Sequence, residues 1–338
     1  MQKILVIQTA FIGDVVLATA LVEKLHEHYP AASIDFLLRK GNEGLLANHP
    51  YLNEVLIWNK QEDKYKNLLQ MLQRIRNKHY DVVINVQRFA ATGFLTVLSG
   101  AKHTVGFDKN PWSFLFSKKV KHVISTADNV LHEVERNQEL IRHLTDARPA
   151  KPRLYPSAAD REKIATLQHE PYICIAPASV WFTKQFPKEK WIELLDVLPA
   201  VHKVYLLGAP SDKDLCETIR TGTSNKNVEN LAGKLNLLQS TALQEGAEMN
   251  YVNDSAPMHF ASSVNAPVTA VYCSTVPSFG FGPLSECSSI VQTEEPLACK
   301  PCGLHGHKAC PLGHFKCAHT IRAQQLLEVL DQKIVAGK

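Results

Sequence analysis

The sequence predicts an α/β protein with two similar parallel-sheet domains, and three observations support this prediction. Apolar runs of strand length alternate with segments whose apolar residues recur at helical spacing, which is typical of βαβ units. The alternation stops at the proline-containing segment 146–156 and then starts again. The chain of 338 residues is also long for a single domain. We therefore expect two Rossmann-like domains that face each other across a cleft, where ligands of such folds usually lie.

The first domain is predicted over residues 1–150 and begins with the apolar run 3–8. This run does not alternate with polar residues, as expected for a strand buried on both faces of a parallel sheet. Apolar residues at helical spacing follow it, from Leu17 to Leu25. Further strands are predicted at 33–38, 55–58, 81–86, 104–107 and 120–124, and further helices at 64–77 and 130–144.

The second domain is predicted over residues 157–320 and repeats the same alternation. Its strands are predicted at 172–176, 203–208, 249–252 and 268–272, and the last of these closes the series. Its helices are expected to start at Pro187, at Ser211, after the N-cap residue Asn236 and at Ser255. A C-terminal helix and tail are expected over 321–338.

Composition and charge exclude several classes of protein. Hydrophobic residues make up 45% and charged residues 21% of the chain, which is ordinary globular usage. The net charge of +4 is scattered, without the basic stripe of a nucleic-acid-binding protein, so we expect no nucleic-acid partner. No secretory signal and no membrane-length apolar run is visible. We therefore expect a cytoplasmic protein with reduced cysteines, and a peripheral membrane contact remains open.

The stretch 8–14 places Asp14 between the first predicted strand and its helix. A carboxylate at the carboxyl edge of a parallel sheet lies where open α/β folds bind ligands, so Asp14 is a candidate base. Asp is also a preferred N-cap, and a helix N-terminus stabilises negative charge. On spacing alone the capping interpretation is favoured.

A second strand-to-helix turn, at residues 251–259, mirrors the first. The helix N-terminus and the Ser255 hydroxyl would hold a phosphate, and the small Ala256 would let a ligand approach the backbone. Asp254 or Ser255 would equally serve as a helix cap, and His259 as a core histidine. The turn alone does not decide between these interpretations.

The loop 176–187 follows a predicted buried strand and is rich in small and hydroxyl residues. Lys184, just before a helix, would supply a compact positive charge for a diphosphate, although lysine is equally common on a solvated loop. The P-loop pattern is missing, and Gly280-Phe281-Gly282 lacks the third glycine of the dinucleotide pattern. ATPase and dehydrogenase functions are therefore disfavoured.

Five motifs in this order resemble glycosyltransferase family 9, the ADP-heptose:lipopolysaccharide heptosyltransferases. They are the opening Lys-Ile-Leu-Val-Ile-Gln with Ile-Gly-Asp, the segment 80–87, the segment 132–136, the Lys184 loop and the turn 253–259. The resemblance covers nearly the whole chain and is nearer the heptosyltransferase II type. It implies a GT-B fold, with an acceptor-binding first domain and a nucleotide-sugar-binding second domain.

The resemblance also implies an inverting transfer of heptose from ADP-heptose to the lipopolysaccharide inner core, without a catalytic cofactor. Asp14 matches the catalytic base of the family, and Lys184 matches its diphosphate contact. The other matched positions form the donor site, and they are Ser179, Leu235, Asp254, Ser255, Ala256 and His259. Asn85 and Ala256 depart from the common Asp and Gly of the family, and Ala256 is acceptable only if its φ is negative. The expected site of action is the cytoplasm, with the inner face of the inner membrane left open.

Four cysteines near the C-terminus, Cys299, Cys302, Cys310 and Cys317, have a C-x2-C-x7-C-x6-C spacing. Four thiolates of this kind would bind a structural zinc ion. A reduced, packed or redox-labile loop explains the spacing equally well.

Two other functions stay open at this stage. A nucleotide-sugar epimerase of the same architecture would need acid and base groups on both sides of the sugar. A binding module built on the cysteine-rich segment would need the basic and aromatic stripe that the composition does not indicate.

Overall fold

The computed structural model describes residues 2–125 and 130–336, with side chains as far as 332. The last two residues of the predicted C-terminal tail lie outside these described residues. The chain divides into two compact units, Met1–Tyr155 and Pro156–Lys338. Each unit has its own parallel sheet with helices.

The first unit contains a six-stranded parallel sheet with the strand order β3-β2-β1-β4-β5-β6. Its strands are β1 (Lys3–Ile7), β2 (Ser33–Arg39), β3 (Leu52–Trp58), β4 (Val82–Asn85), β5 (His103–Phe107) and β6 (Lys118–Val120). Its helices are α1 (Ile12–His28), α2 (Lys64–Lys78), α3 (Ala90–Val97) and α4 (Glu133–Ile141). The direction of strand addition reverses between β1 and β4, which is the switch point where such sheets bind ligands.

The second unit repeats this arrangement with the strand order β12-β11-β10-β7-β8-β9. Its strands are β7 (Tyr172–Ala176), β8 (Lys203–Leu206), β9 (Val228–Asn230), β10 (Met249–Asn253), β11 (Val268–Tyr272) and β12 (Ser288–Gln292). Its helices are α5 (Ala158–Ile164), α6 (Lys188–Val197), α7 (Lys213–Gly222), α8 (Leu237–Glu245), α9 (Ala256–Ser263), α10 (Lys316–His319) and α11 (Ala323–Ala336). Here the switch point lies between β7 and β10.

The central strands β7, β10 and β11 are buried on both faces, and their successive side chains enter two different apolar clusters. Ile173 and Tyr251 belong to one apolar cluster, which includes residues of α6, α7 and α11. Cys174 and Val252 belong to the cluster on the opposite face, with residues of α8 and α9. The unbroken apolar runs of the sequence thus correspond to buried central strands, as predicted, and Cys174 is a core residue.

The sequence predictions are wrong at the edges of the sheets. Residues 268–272 do not close the second series, because β12 follows and pairs in parallel with β11. The strand predicted at 120–124 is β6, which ends at Val120. The edge strands β9 and β12 contain polar residues at most positions, and therefore lack the apolar run that marks a central strand.

Candidate active site

Lys184 and Asp254 form an ion pair in the second unit. Lys184 ends a single 3-10 turn, Phe182–Lys184, in the loop that follows β7, and Asp254 follows β10. The Lys184 Nζ lies 2.7 Å from the Asp254 Oδ2, and the two side chains are 15% and 7% exposed. The two loops belong to the strands on either side of the switch point, so the pair lies at the ligand-binding edge of this sheet.

Thr275 is a third member of this site. The sequence analysis did not identify it. Its Oγ1 donates a hydrogen bond of 2.6 Å to the same Asp254 oxygen. Thr275 comes three residues after the end of β11, which neighbours β10. A hydroxyl residue after the carboxyl end of an adjacent strand was the signal that could have identified it.

Asn253, the last residue of β10, connects the two ends of the Lys184 loop. Its side chain is fully buried, and its Nδ2 donates to the carbonyl oxygen of Pro177 at 2.7 Å. Its Oδ1 accepts from the backbone N–H of Phe186 at 2.9 Å. Because both ends of the loop bind one rigid amide, the position of Lys184 is coupled to the strand that carries Asp254.

The turn into α9 differs in detail from the predicted phosphate site. Ser255 occupies the N-cap position, but its hydroxyl donates weakly to the Asn253 carbonyl at 3.4 Å instead of capping the helix. Ala256 opens the helix and is not among the described non-glycine residues with positive φ, so alanine is accommodated where glycine is common. Pro257 has no N–H, which removes one of the donors that a helix N-terminus offers a phosphate. His259 is buried one turn into the helix.

Ser179 and Leu235 lie in separate loops of the same unit. Ser179 is partly exposed in the Lys184 loop, and its carbonyl oxygen accepts from the Gln185 side chain at 2.6 Å. Leu235 follows β9 and packs, partly buried, against the apolar cluster that contains Val252 and Met258. The structure therefore brings Lys184 and Asp254 into direct contact and gives Leu235 an apolar packing role.

Asp14 belongs to the first unit and is the third residue of α1, not its N-cap. Its Oδ2 accepts from the backbone N–H of Phe11, the N-cap residue, at 3.2 Å. The negative charge of Asp14 also affects Glu133. Burial raises the pKa of Glu133 to about 7, the paired Arg136 lowers it, and Asp14 raises it. Asp14 thus caps α1 and lies at the carboxyl edge of the first sheet.

Lys60 is a cation at this edge that sequence reasoning missed. Its Nζ donates to the carbonyl oxygen of Thr9 at 3.1 Å and to the Thr9 hydroxyl at 2.6 Å. The Thr9 hydroxyl donates to the side chain of Gln87, which follows β4. Burial lowers the pKa of Lys60 to about 8, with the nearby charges of Arg39 and Lys64 acting in the same direction. A polar link therefore joins the loops after β1 and β4, the two strands at the switch point.

The four cysteines near the C-terminus influence one another. Burial raises the pKa of the Cys317 thiol to about 11, and Cys299, Cys310 and Cys302 act in the same direction. Within 2–125 and 130–336, however, no group of three or more His, Cys, Asp or Glu side chains is arranged to hold a metal ion. The predicted zinc site therefore stays a prediction.

Comparison with known proteins identifies the family and the fold of this chain. The profile of the family described as glycosyltransferase family 9 (heptosyltransferase) matches residues 68–312. Lipopolysaccharide heptosyltransferase 3 of Escherichia coli is 28% identical, over 78% of this chain and 80% of its own length. The lipopolysaccharide core heptosyltransferase OpsX of Haemophilus influenzae is 23% identical, over 100% of this chain and 96% of its own length.

Two solved structures match nearly the whole chain. The ADP-heptose lipopolysaccharide heptosyltransferase II of E. coli aligns with a TM-score of 0.82 at 22% identity, over 99% of both chains. A family 9 glycosyltransferase from Veillonella parvula aligns with a TM-score of 0.87 at 20% identity, over 99% of this chain and 98% of the other. The predicted GT-B fold class, with two Rossmann-like domains, is confirmed. Separately, none of the helices in the described part of the chain is long and apolar enough to span a membrane.

Proposed function

The chain belongs to glycosyltransferase family 9, and on this premise we propose that it transfers a heptose from ADP-heptose to the lipopolysaccharide inner core. It is a glycosyltransferase, as its motifs predict. The observation that carries the assignment of a nucleotide-sugar donor to this unit is the Lys184–Asp254 pair at the switch point of the second sheet. A fixed ammonium at this edge is suited to the diphosphate of a nucleotide sugar.

On the donor side, Lys184 takes the charge of the departing diphosphate. A lysine ammonium has three N–H donors, and Asp254 occupies one of them, so two remain for phosphate oxygens. The N–H groups at the start of α9 add a second positive end, although Pro257 reduces their number. Ser179, Ser255, Ala256 and His259 surround the diphosphate and ribose in this proposal, and Leu235 lies against the adenine.

On the acceptor side, Asp14 is the general base. Its carboxylate is held at the start of α1 by the Phe11 N–H, at the carboxyl edge of the first sheet, and a carboxylate there can accept a proton. As Asp14 removes the proton, the acceptor oxygen bonds to the anomeric carbon from the side opposite the diphosphate. The bond between that carbon and the phosphate oxygen breaks, ADP leaves with the bonding electrons, and the anomeric configuration inverts.

The donor is tested by thermal unfolding with ADP-, UDP- and GDP-sugars. We expect ADP and ADP-heptose to raise the unfolding temperature by several degrees, because a ligand at 100 times its dissociation constant stabilises the native state by about 2.7 kcal/mol. Transfer to heptose-deficient lipopolysaccharide then tests the acceptor. Stabilisation by UDP- or GDP-sugars alone would contradict the proposal, as would an epimerised sugar nucleotide formed without any acceptor.

We also propose that the enzyme works in the cytoplasm, at the inner face of the inner membrane. One stretch departs from the even scatter of charge, since 109–124 contains four lysines and no acidic residue. All four lysines are exposed, and Phe114 and Leu115 between them are 72% and 50% exposed. Exposed apolar side chains among lysines suit an anionic lipid surface, where each lysine contributes about 1 kcal/mol.

Vesicle co-sedimentation tests this contact. We expect binding to phosphatidylglycerol vesicles, weaker binding to phosphatidylcholine vesicles, and loss of binding when Phe114, Leu115, Lys118 and Lys119 are changed to serine. Val197→Ser with Val201→Ser is the control, because these exposed side chains lie in the second unit. Equal binding by the two variants, or binding to oligonucleotides instead of vesicles, would contradict the proposal.

For the cysteine-rich segment, we propose that Cys299, Cys302, Cys310 and Cys317 hold a structural zinc ion. The C-x2-C-x7-C-x6-C spacing supports this, and Cys310 packs against the apolar cluster that contains Cys317. Their present arrangement is not a metal cage, so binding requires the side chains to rotate. Metal analysis of protein purified without added metal should find about one zinc per chain, and substoichiometric zinc would overturn the proposal.

A further inference from the structure

The cysteine-rich segment, residues 299–317, is hydrogen-bonded to the loop that carries Lys184. The backbone N–H of Thr183 donates to the carbonyl oxygen of His307 at 3.1 Å. In return, the backbone N–H of His307 donates to the Thr183 hydroxyl at 2.8 Å. Thr183 is only 1% exposed. The residue next to Lys184 is therefore held at two points by a segment that lies more than a hundred residues later in the chain.

Ser274, two residues after the end of β11, is hydrogen-bonded both to Thr183 and to the cysteine-rich segment. Its hydroxyl donates to the Thr183 hydroxyl at 3.0 Å, and its carbonyl oxygen accepts from the backbone N–H of Cys302 at 2.7 Å. The next residue, Thr275, donates to Asp254. The exit of β11 therefore contacts the Lys184 loop, the cysteine-rich segment and the carboxylate that pairs with Lys184.

Gly306 brings the backbone of the segment against the stem of Lys184. Its φ is +78°, a conformation that glycine adopts without strain. A Cβ atom at this position would lie 3.1 Å from the Thr183 Oγ1, 3.2 Å from the Lys184 Cγ and 3.2 Å from the Trp181 Cβ. Any side chain at this position would therefore displace the loop by a few tenths of an ångström.

We propose that the cysteine-rich segment positions the donor loop, and that Thr183 and Gly306 are the positioning residues that place the Lys184 ammonium for the diphosphate. A lysine stem is flexible and delivers its charge to one place only if its path is restricted. Gly306 restricts the stem, and the two Thr183–His307 hydrogen bonds fix the backbone beside it. The proposal rests on the donor site assigned above, and it gives the segment a role whether or not it binds metal.

Two glycine substitutions test the contact at Gly306. Gly306→Ala and Gly313→Ala each place alanine at a positive φ in the same segment, +78° and +70°. A Cβ at Gly313 meets nothing within 4 Å, so only Gly306→Ala presses on the Lys184 loop. We expect ADP to bind Gly306→Ala about tenfold more weakly than Gly313→Ala in titration calorimetry, the effect of losing one to two hydrogen bonds. The KM for the ADP-sugar should rise in proportion, with the KM for the acceptor unchanged.

Thr183 provides a second test that does not depend on Gly306→Ala folding. Thr183→Val keeps the shape but removes the hydroxyl that His307 and Ser274 bond, and Thr183→Ser keeps that hydroxyl. We expect Thr183→Val to weaken ADP binding about tenfold and Thr183→Ser to retain wild-type binding. If wild-type protein binds ADP and the Val and Ser variants bind it equally well, the positioning role is wrong and the donor site stands. If the wild-type protein binds no adenine nucleotide, the donor site itself is wrong.

Discussion

The ammonium of Lys184 and the carboxylate of Asp254 are 2.7 Å apart, although the two residues follow different strands of the second sheet. Both side chains are largely removed from water, and Thr275 donates to the carboxylate from a third strand. Removing one partner of such a pair leaves an uncompensated buried charge, which costs more than the pair itself contributes. The pair therefore contributes to the stability of the protein and, through Lys184, to ADP binding. Variants of one or both residues separate these two contributions.

Lys184→Met is expected to abolish most ADP binding and to destabilise the protein by about 2–4 kcal/mol, because Asp254 is left buried without a cation. Lys188→Met is the matched control, since Lys188 is exposed and its nearest acid, Glu189, is 3.9 Å away in another exposed side chain. It should change stability by less than about 0.5 kcal/mol. Chemical denaturation and titration calorimetry measure the two effects.

The double variant Lys184→Met/Asp254→Asn distinguishes the two roles of the lysine. Removing both charges should restore part of the stability lost in Lys184→Met, because no unpaired charge stays buried. ADP binding should remain lost. Recovery of ADP binding in the double variant would mean that Lys184 acts only as the partner of Asp254.

Asp14→Asn is expected to lower transfer about 10²–10⁴-fold, the contribution of general-base catalysis, while ADP binding changes less than about twofold. The asparagine oxygen can still accept from the Phe11 N–H, so the cap on α1 is preserved. Asp160→Asn is the matched control, because Asp160 is also the third residue of a helix and accepts from the N-cap backbone N–H of Ser157 at 2.9 Å. Residual turnover in Asp14→Asn close to that of Asp160→Asn would remove Asp14 from the mechanism.

The sequence predicted the central strands and the two strand-to-helix turns because these depend on local pattern. The apolar run at β1 and the turn after Asn253 can be recognised within a few residues. The Lys184–Asp254–Thr275 contacts cannot, since Asp254 and Thr275 are 21 residues apart and meet only because β10 and β11 pair in parallel. The same reason explains why Lys60 was missed beside Thr9.

Other misses have different causes. The lysines of 109–124 are plain in the sequence, but averaging charge over the whole chain conceals a local stretch without acids. Cysteine spacing restricts which thiols can meet, yet it does not determine where the sulfur atoms point. The contact between Gly306 and the Lys184 stem requires the backbone path of an irregular segment, which carries no periodic signal.

His122 is expected to make the protein acid-sensitive. Burial lowers its pKa from 6.5 to about 4, and the positive charges of Arg88, Arg136 and Lys109 contribute. Above pH 6.5 the ring is neutral in both the folded and the unfolded state. Between pH 6.5 and about 4 the unfolded chain binds a proton that the folded chain does not, so stability falls as the pH falls through this window.

His122→Gln should remove about 1–2 kcal/mol of this acid-dependent loss, an estimate reduced for the partial exposure of the ring. Denaturant unfolding at pH 7 and pH 4.5 measures it as the difference between variant and wild type. His169→Gln, at an exposed histidine, should lose stability with acid as the wild type does. If His122→Gln also follows the wild type, the ring does not stay neutral in the folded protein.

Asn253→Leu is expected to destabilise the protein by about 2–4 kcal/mol, because it leaves the Pro177 carbonyl and the Phe186 N–H buried without a partner. Asn250→Leu is the matched control for this variant. Asn250 is fully buried in the same strand, and its amide donates to the carbonyl oxygens of Gln244 and Pro267, both at 2.9 Å. Its partners lie away from the Lys184 loop, so a similar loss of stability should leave the loop ends in place.

The comparison between the two variants therefore separates the effect of losing the loop contacts from the effect of destabilising β10. ADP binding at a temperature where both variants are folded should be weakened about tenfold in Asn253→Leu and unchanged in Asn250→Leu. Equal ADP binding would show that the Lys184 loop keeps its position without the Asn253 amide. In that case the contacts that Gly306 and His307 of the cysteine-rich segment make with the Lys184 loop, and not the end of β10, would hold the lysine in place.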